Sequence, residues 1–67
     1  MRKVYNYLNS HPNAMGVVEI EGTKYKISVV DNLRNAERPD YEGWTNPHFG
    51  VWIICPKEGT YLKVELI

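Results

Sequence analysis

The chain has 67 residues, of which 43% are hydrophobic, and eight Lys and Arg balance eight Asp and Glu. This length allows one small domain with a modest core, and the hydrophobic content is too high for a disordered chain. A net charge of zero lowers the expectation of nucleic-acid binding, because that affinity comes largely from the neutralisation of phosphates.

Cys55 is the only cysteine, so the chain has no internal disulfide. No apolar run approaches the roughly 18–20 residues of a membrane span. The amino terminus begins with basic residues, but it lacks the apolar stretch of a signal peptide. We therefore expect a cytoplasmic protein that does not bind a membrane.

The segment of residues 2–8 fits two periodicities. Val4 and Leu8 have the i, i+4 spacing of a helix, whereas Tyr5 and Tyr7 have the i, i+2 spacing of a strand. Tyrosine is common in strands, and the next candidate strand follows after a short break. We expect a strand here, with a helix as the alternative.

Residues 14–21 and 23–30 predict a first hairpin around Glu21 and Gly22. A two-residue loop there pairs Glu19 with Lys24 and Val18 with Tyr25. The opposite charges of the first pair are worth about 0.2–1 kcal/mol. The predicted inner face holds Val18, Ile20, Tyr25, Ile27 and Val29, and the outer face holds Val17, Glu19, Lys24, Lys26 and Ser28.

Residues 31–47 show no clear periodicity and are rich in Asn, Pro and Gly. A connection of this length is unusual in so small a domain. Two explanations remain open: the segment seals the core with Leu33, Tyr41 and Trp44, or it is a binding loop. In the second case Arg38, Tyr41 and Trp44 are the candidate contact residues.

Residues 49–55 and 60–66 predict a second hairpin, with a four-residue loop from Pro56 to Gly59. This loop pairs Cys55 with Thr60. The predicted core face then holds Ile53 with Leu62, Val51 with Val64, and Phe49 with Leu66. The opposite face holds Ile54 with Tyr61, Trp52 with Lys63, and Gly50 with Glu65. The fold predicted from these elements is a single all-β domain of four or five antiparallel strands. It is either a small OB-like or SH3-like barrel or a strongly curved sheet, with a long loop between the two hairpins.

Several short motifs occur in order along residues 14–67: Gly22-Thr-Lys-Tyr25, Arg38-Pro-Asp-Tyr41 after Asn32, Trp52, and the closing run from Lys57 to Leu66. In these motifs the chain resembles a widespread family of short phage and plasmid proteins of unassigned function. Lys63 departs from the family, which usually has a small polar residue there. The resemblance implies a small β-domain from a mobile element, and it implies no activity and no site.

The predicted face opposite the core contains the main candidate site. Trp52, Ile54 and Tyr61 would form an aromatic patch there beside Lys63, and Trp and Tyr are enriched at binding hot spots. The alternative is that the amino-terminal segment or the 31–47 segment covers this face as a second small core.

The sequence contains no signature of a catalytic or metal site. His11 and His48 are far apart in the chain and have no neighbours at metal-ligand spacing. Cys55 has no His placed beside it and is expected to be a small hydrophobic residue. We expect neither enzymatic activity nor a cofactor.

These features favour a non-catalytic module that presents aromatic and charged side chains to a protein partner. For a protein of a mobile element, the expected type is an inhibitor or modulator of a host machine. The first alternative is an OB-like binder of single-stranded nucleic acid, which would stack bases on Trp52 and Tyr61. Its phosphate contacts would be Lys24, Lys26 and Lys63. The second alternative is a structural subunit of a homo-oligomer, paired through sheet edges.

Overall fold

One helix and five antiparallel strands form the domain, and the computed structural model describes all residues 1–67. The elements are helix α1 (Arg2–Ser10) and strands β1 (Gly16–Ile20), β2 (Thr23–Val29), β3 (Trp44–His48), β4 (Val51–Lys57) and β5 (Thr60–Leu66), with one 3₁₀ turn at Asn35–Glu37. The strands form a single sheet in the order β1-β2-β5-β4-β3. The predicted small antiparallel β-domain is therefore confirmed. Its sheet is open, as in a curved sheet, and does not close into a barrel.

The amino-terminal segment is helix α1, so the expected strand is wrong. Val4 is 3% exposed and Leu8 is fully buried, which shows that their i, i+4 spacing dominates over the alternation of Tyr5 and Tyr7. The helix has nine residues and no side-chain cap at its start. A helix this short is marginal in isolation, so packing against the sheet must stabilise it.

The first hairpin has the predicted register. Glu19 lies opposite Lys24, and Val18 lies opposite Tyr25. The two turn residues, Glu21 and Gly22, have φ angles of 49° and 85°. Positive φ at both central residues defines a type I′ turn, whose twist matches that of the flanking strands.

The second hairpin pairs the predicted strands, but its register differs from the prediction by one residue. Ile54 lies opposite Leu62 and Trp52 lies opposite Val64, with an irregularity between Ile54 and Lys57. The turn itself contains only Glu58 and Gly59, because Lys57 pairs with Thr60. The core face of β4 therefore consists of Trp52 and Ile54. Ile53 and Val51 lie on the opposite face, and Phe49, which was expected in the core, is 93% exposed at the β3–β4 turn.

The connection expected over residues 31–47 is shorter than predicted, because its last part is strand β3. This strand pairs with β4, and its register shifts between Thr45 and His48. The side-chain amide of Asn46 donates hydrogen bonds to the carbonyls of His48 (2.8 Å) and Val51 (2.5 Å) within this irregular part. Asn46 and Pro47 are residues that favour loops, so the sequence pattern did not predict a strand here.

The core lies between α1 and one face of the sheet. It consists of Val4, Leu8, Ile20, Ile27, Ile54, Leu62 and Val64. Trp44 closes one side of it: its ring lies 6.0 Å from the ring of Tyr5, and the guanidinium of Arg2 lies 5.0 Å from the Trp44 ring centroid. All of these contacts are on the side of the sheet that faces α1, so the other side has no helix over it. The one α-helix is too short to cross a membrane.

Candidate functional site

The aromatic patch expected from Trp52, Ile54 and Tyr61 does not form. Ile54 is fully buried in the core, and Trp52 is half-buried on the same side, edge-on to Tyr25 at 6.3 Å. Tyr61 precedes the core residue Leu62, so it points to the opposite side of the sheet. Helix α1 covers the side of β4 that carries Trp52 and Ile54, but this side is the main core, shared with Leu62 and Val64, and not the second small core of the alternative.

Tyr61 and Lys63 belong to a different surface, which we name the helix-free face. It is the side of the sheet opposite α1. One row of neighbouring residues across the strands of this face consists of Val17, Lys26, Glu65 and Val51. The next row consists of Ser28, Lys63, Ile53 and Thr45. Tyr61 lies beyond the second row, and Glu19 and Lys24 lie beyond the first.

The charges of the helix-free face are nearly balanced. Lys26 lies opposite Glu65, and Lys24 lies opposite Glu19. The Lys63 ammonium is 3.9 Å from a carboxylate oxygen of Glu65, and both side chains are partly exposed. Such an exposed pair contributes little stability, but each lysine of this face has a glutamate close by. The face therefore has polar contact groups without a strong electric field.

Apolar side chains stand among these charges. Val17 is 63% exposed, and Val51 and Tyr61 are half-buried. Ile53 is only 3% exposed, although no helix covers this side. Beside it in the same row, the Thr45 hydroxyl donates a 2.7 Å hydrogen bond to the carbonyl of Arg38. The β2–β3 connection thus approaches the helix-free face at the β3 side, where it places Arg38 at the margin of this face.

The other two candidates from the long connection have separate positions. Trp44 packs against Tyr5 beside the core, as expected for a residue that seals it. Tyr41 is 96% exposed and seals nothing. Arg38 is exposed as well. Of the three candidates, Trp44 therefore packs beside the core, and only Arg38 and Tyr41 are exposed.

The residues with catalytic or metal-binding chemistry are used in local structure. The Cys55 thiol donates to the carbonyl of Lys57 at 3.1 Å, within the irregular part of β4. The ring of His11 stacks on Tyr7 at 4.2 Å, and its Nδ1 lies 2.9 Å from the Tyr7 carbonyl oxygen at the end of α1. No group of three or more His, Cys, Asp or Glu side chains comes together anywhere in the structure.

Two surface cavities flank α1, with volumes of about 170 and 230 Å³. The first lies between the end of the helix and the β4–β5 turn, and the second lies between the start of the helix and the β1–β2 turn. Both are smaller than the roughly 300–1,000 Å³ of typical small-molecule sites. The cavities are therefore weaker candidates for a binding site than the helix-free face.

No family model, curated protein or solved structure matches this chain. The functional interpretation therefore depends on the geometry of the helix-free face and on the chemistry of its residues.

Proposed function

We propose that this protein is a non-catalytic binding module that contacts a protein partner through the helix-free face. The observation that supports this most is the combination of surfaces on the two sides of the sheet. The α1 side forms a packed core, whereas the other side has no α-helix over it and carries the exposed Val17 and the half-buried Val51 and Tyr61.

The charge arrangement favours a protein partner. Protein interfaces combine apolar and aromatic contacts with polar groups of both signs. On the helix-free face the lysines and glutamates lie opposite one another, so an incoming protein meets complementary hydrogen-bonding groups and little net repulsion. Tyr61 supplies a rigid aromatic group of the kind enriched at hot spots.

Single-stranded nucleic acid is the second candidate, and one observation favours it. Lys24, Lys26, Lys63 and Tyr61 lie on the same side of the sheet, where lysines would contact phosphates and the tyrosine would stack on a base. Trp52 is excluded from that role by its place beside the core. Glu19 and Glu65 also lie on this side and would repel phosphates, which is why we rank this candidate second.

The nature of the partner is a further part of the proposal. The resemblance to short phage and plasmid proteins suggests a component of a host machine, with this chain acting as its inhibitor or modulator. Such a role needs a binding surface and no catalysis.

Paired variants on and off the helix-free face test this function. The on-face changes are Lys26→Glu and Tyr61→Ala. The matched off-face controls are Lys57→Glu, at the exposed β4–β5 turn, and Tyr41→Ala, in the exposed connection. Each variant is first checked for an unchanged fold by circular dichroism and thermal melting. Tagged chains then capture proteins from a host lysate, with and without nuclease.

If the proposal is right, the wild type and both control variants capture the same protein, and both on-face variants fail to capture it. Nuclease treatment does not release this protein from the wild type. Loss with the controls, or equal retention by all four variants, would exclude the helix-free face. Release by nuclease, together with binding that weakens steeply between low and moderate salt, would instead establish the nucleic-acid candidate.

A further inference from the structure

The two edges of the sheet differ in their capacity to pair with another strand. At one edge, β3 has an irregular register, contains Pro47, which has no N–H, and has the 3₁₀ turn Asn35–Glu37 packed against it. At the other edge, β1 pairs with β2 at all five positions without interruption. Irregularity and proline are two of the devices that protect sheet edges from pairing, and β1 has neither.

The free backbone groups of β1 can be identified from its hairpin. In a two-residue hairpin the residues flanking the turn, here Ile20 and Thr23, exchange hydrogen bonds. The alternation of an antiparallel ladder then directs the backbone groups of Val18 towards β2, and those of Val17 and Glu19 away from it. The carbonyl of Lys24, opposite Glu19, accepts a hydrogen bond from the N–H of Ile67 at 3.3 Å, on the β5 side. This contact agrees with the assignment that Glu19 has no backbone bonds to Lys24.

The side chains of this edge include one charge, Glu19, and two exposed apolar groups. Val17 is 63% exposed, and Met15, just before the strand, is 45% exposed. No lysine interrupts β1, which reads Gly-Val-Val-Glu-Ile. The edge therefore offers unpaired N–H and C=O groups together with apolar side chains that are in water.

We infer that β1 pairs with β1 of a second copy of this chain, antiparallel and centred on Val18. In this arrangement all five residues of each strand overlap. Val17 of each copy lies opposite Glu19 of the other copy. The backbone N–H and C=O groups of both residues point away from β2, so each of these two pairs can form hydrogen bonds between the copies. The glutamates do not face each other, so the pairing contains no directly opposed like charges.

This register places Gly16 opposite Ile20 of the second copy. Gly16 has a φ of 74°, and a Cβ added there would meet no other atom of its own chain within 4 Å. A two-fold axis perpendicular to the sheet would join the two sheets into one of ten strands. Both helices would then lie on one side, and the two helix-free faces would be continuous on the other. This inference is independent of what binds to that face.

The contact involves one short strand from each copy, so its area is small and the dimer is expected to be weak. Sedimentation velocity should therefore show an average mass that rises with concentration from the 7.8 kDa of the monomer towards twice that value. The first variant pair is Glu19→Pro and Glu19→Gln. Proline removes the outward N–H without removing a bond to β2, so it should abolish the rise, whereas the glutamine variant should keep it.

Disulfide trapping tests the register and does not depend on the proline variant folding. In a Cys55→Ala background, Val18→Cys would face its own copy in a non-hydrogen-bonded pair, about 4.5 Å apart at Cα, within the range of a disulfide. Val29→Cys is the control: Val29 is 59% exposed on β2, so random collision would cross-link it more readily than the half-buried position 18. The inference expects a covalent dimer from Val18→Cys and far less from Val29→Cys.

Three results would overturn the inference: a mass that stays at the monomer value up to millimolar concentration, a folded Glu19→Pro variant that dimerises as well as Glu19→Gln, or Val29→Cys cross-linking as fast as Val18→Cys. The last result would mean that contact between copies is collisional and that β1 has no preferred partner strand.

Discussion

Replacing Gly43 with alanine should destabilise the domain through one defined contact. Gly43 has a φ of 94°, and a Cβ built there would lie 2.6 Å from Cε2 of Tyr5. The backbone conformation alone costs an alanine about 1–2 kcal/mol. The Tyr5 ring must also move, and it packs against Trp44 at 6.0 Å, an aromatic pair worth about 0.5–1.5 kcal/mol beyond its buried area. Together the two contributions give an expected loss of about 1.5–3.5 kcal/mol.

That loss is large for a chain of this size. At about 0.05–0.15 kcal/mol per residue, the unfolding free energy of 67 residues is roughly 3–10 kcal/mol. Each kcal/mol shifts the melting midpoint of a small domain by about 4–8 °C, so the variant should melt at least about 6 °C lower. Urea unfolding at 25 °C gives the corresponding free energies.

Gly59→Ala is the matched control. Gly59 has a similar φ of 83°, but a Cβ there meets no atom within 4 Å. Its cost therefore measures the backbone strain alone, and the difference between the two variants measures the contact with Tyr5. In a Tyr5→Ala background, Gly43→Ala should cost no more than Gly59→Ala. Equal costs of the two glycine substitutions in the wild-type background would refute the close approach of α1 to Gly43.

Two other substitutions test the turn and the register. Glu21→Asn should stabilise the domain by about 0.5 kcal/mol, because asparagine tolerates the φ of 49° at this type I′ position and the exposed ion pair lost with Lys3 contributes little. Glu21→Gln is the control and should not stabilise the domain. A gain in stability from both variants would rule out the turn as the cause. Ile54→Ala should cost about 3–4 kcal/mol by urea unfolding because Ile54 is fully buried, whereas Val51→Ala should cost less than half as much; the reverse order would restore the register expected from the sequence.

The first hairpin could be predicted from the sequence because local and long-range signals agree there. Strand β2 alternates strictly between Lys24, Lys26 and the inward Tyr25 and Ile27, so only one register buries the apolar set. The Glu21-Gly22 turn admits the two-residue loop that this register needs. Agreement between pattern and turn made the pairing of β1 with β2 predictable residue by residue.

The second hairpin lacked that agreement. Strand β4 is apolar on both sides, because Trp52 and Ile54 alternate with Val51 and Ile53, so its own pattern cannot select a register. The selection falls to the loop, and two loops were compatible with the residues around Pro56. The structure has the shorter turn plus an irregularity between Ile54 and Lys57, and such irregularities depend on tertiary packing that a sequence pattern does not encode.

Helix α1 explains why that packing prefers the observed register. Val4 and Leu8 bury against the sheet only where large apolar groups meet them, and the observed register places Ile54 and Trp52 on that side. The expected register would have offered Val51 and Ile53, and would have left the Trp52 indole in water. The expected register assigned Trp52 and Ile54 to the face opposite the core, where they were a candidate patch for recognition or a second small core. A one-residue shift therefore decides the candidate site: it places Trp52 beside the core, and it leaves Tyr61 and Lys63 on the side where a partner can reach them.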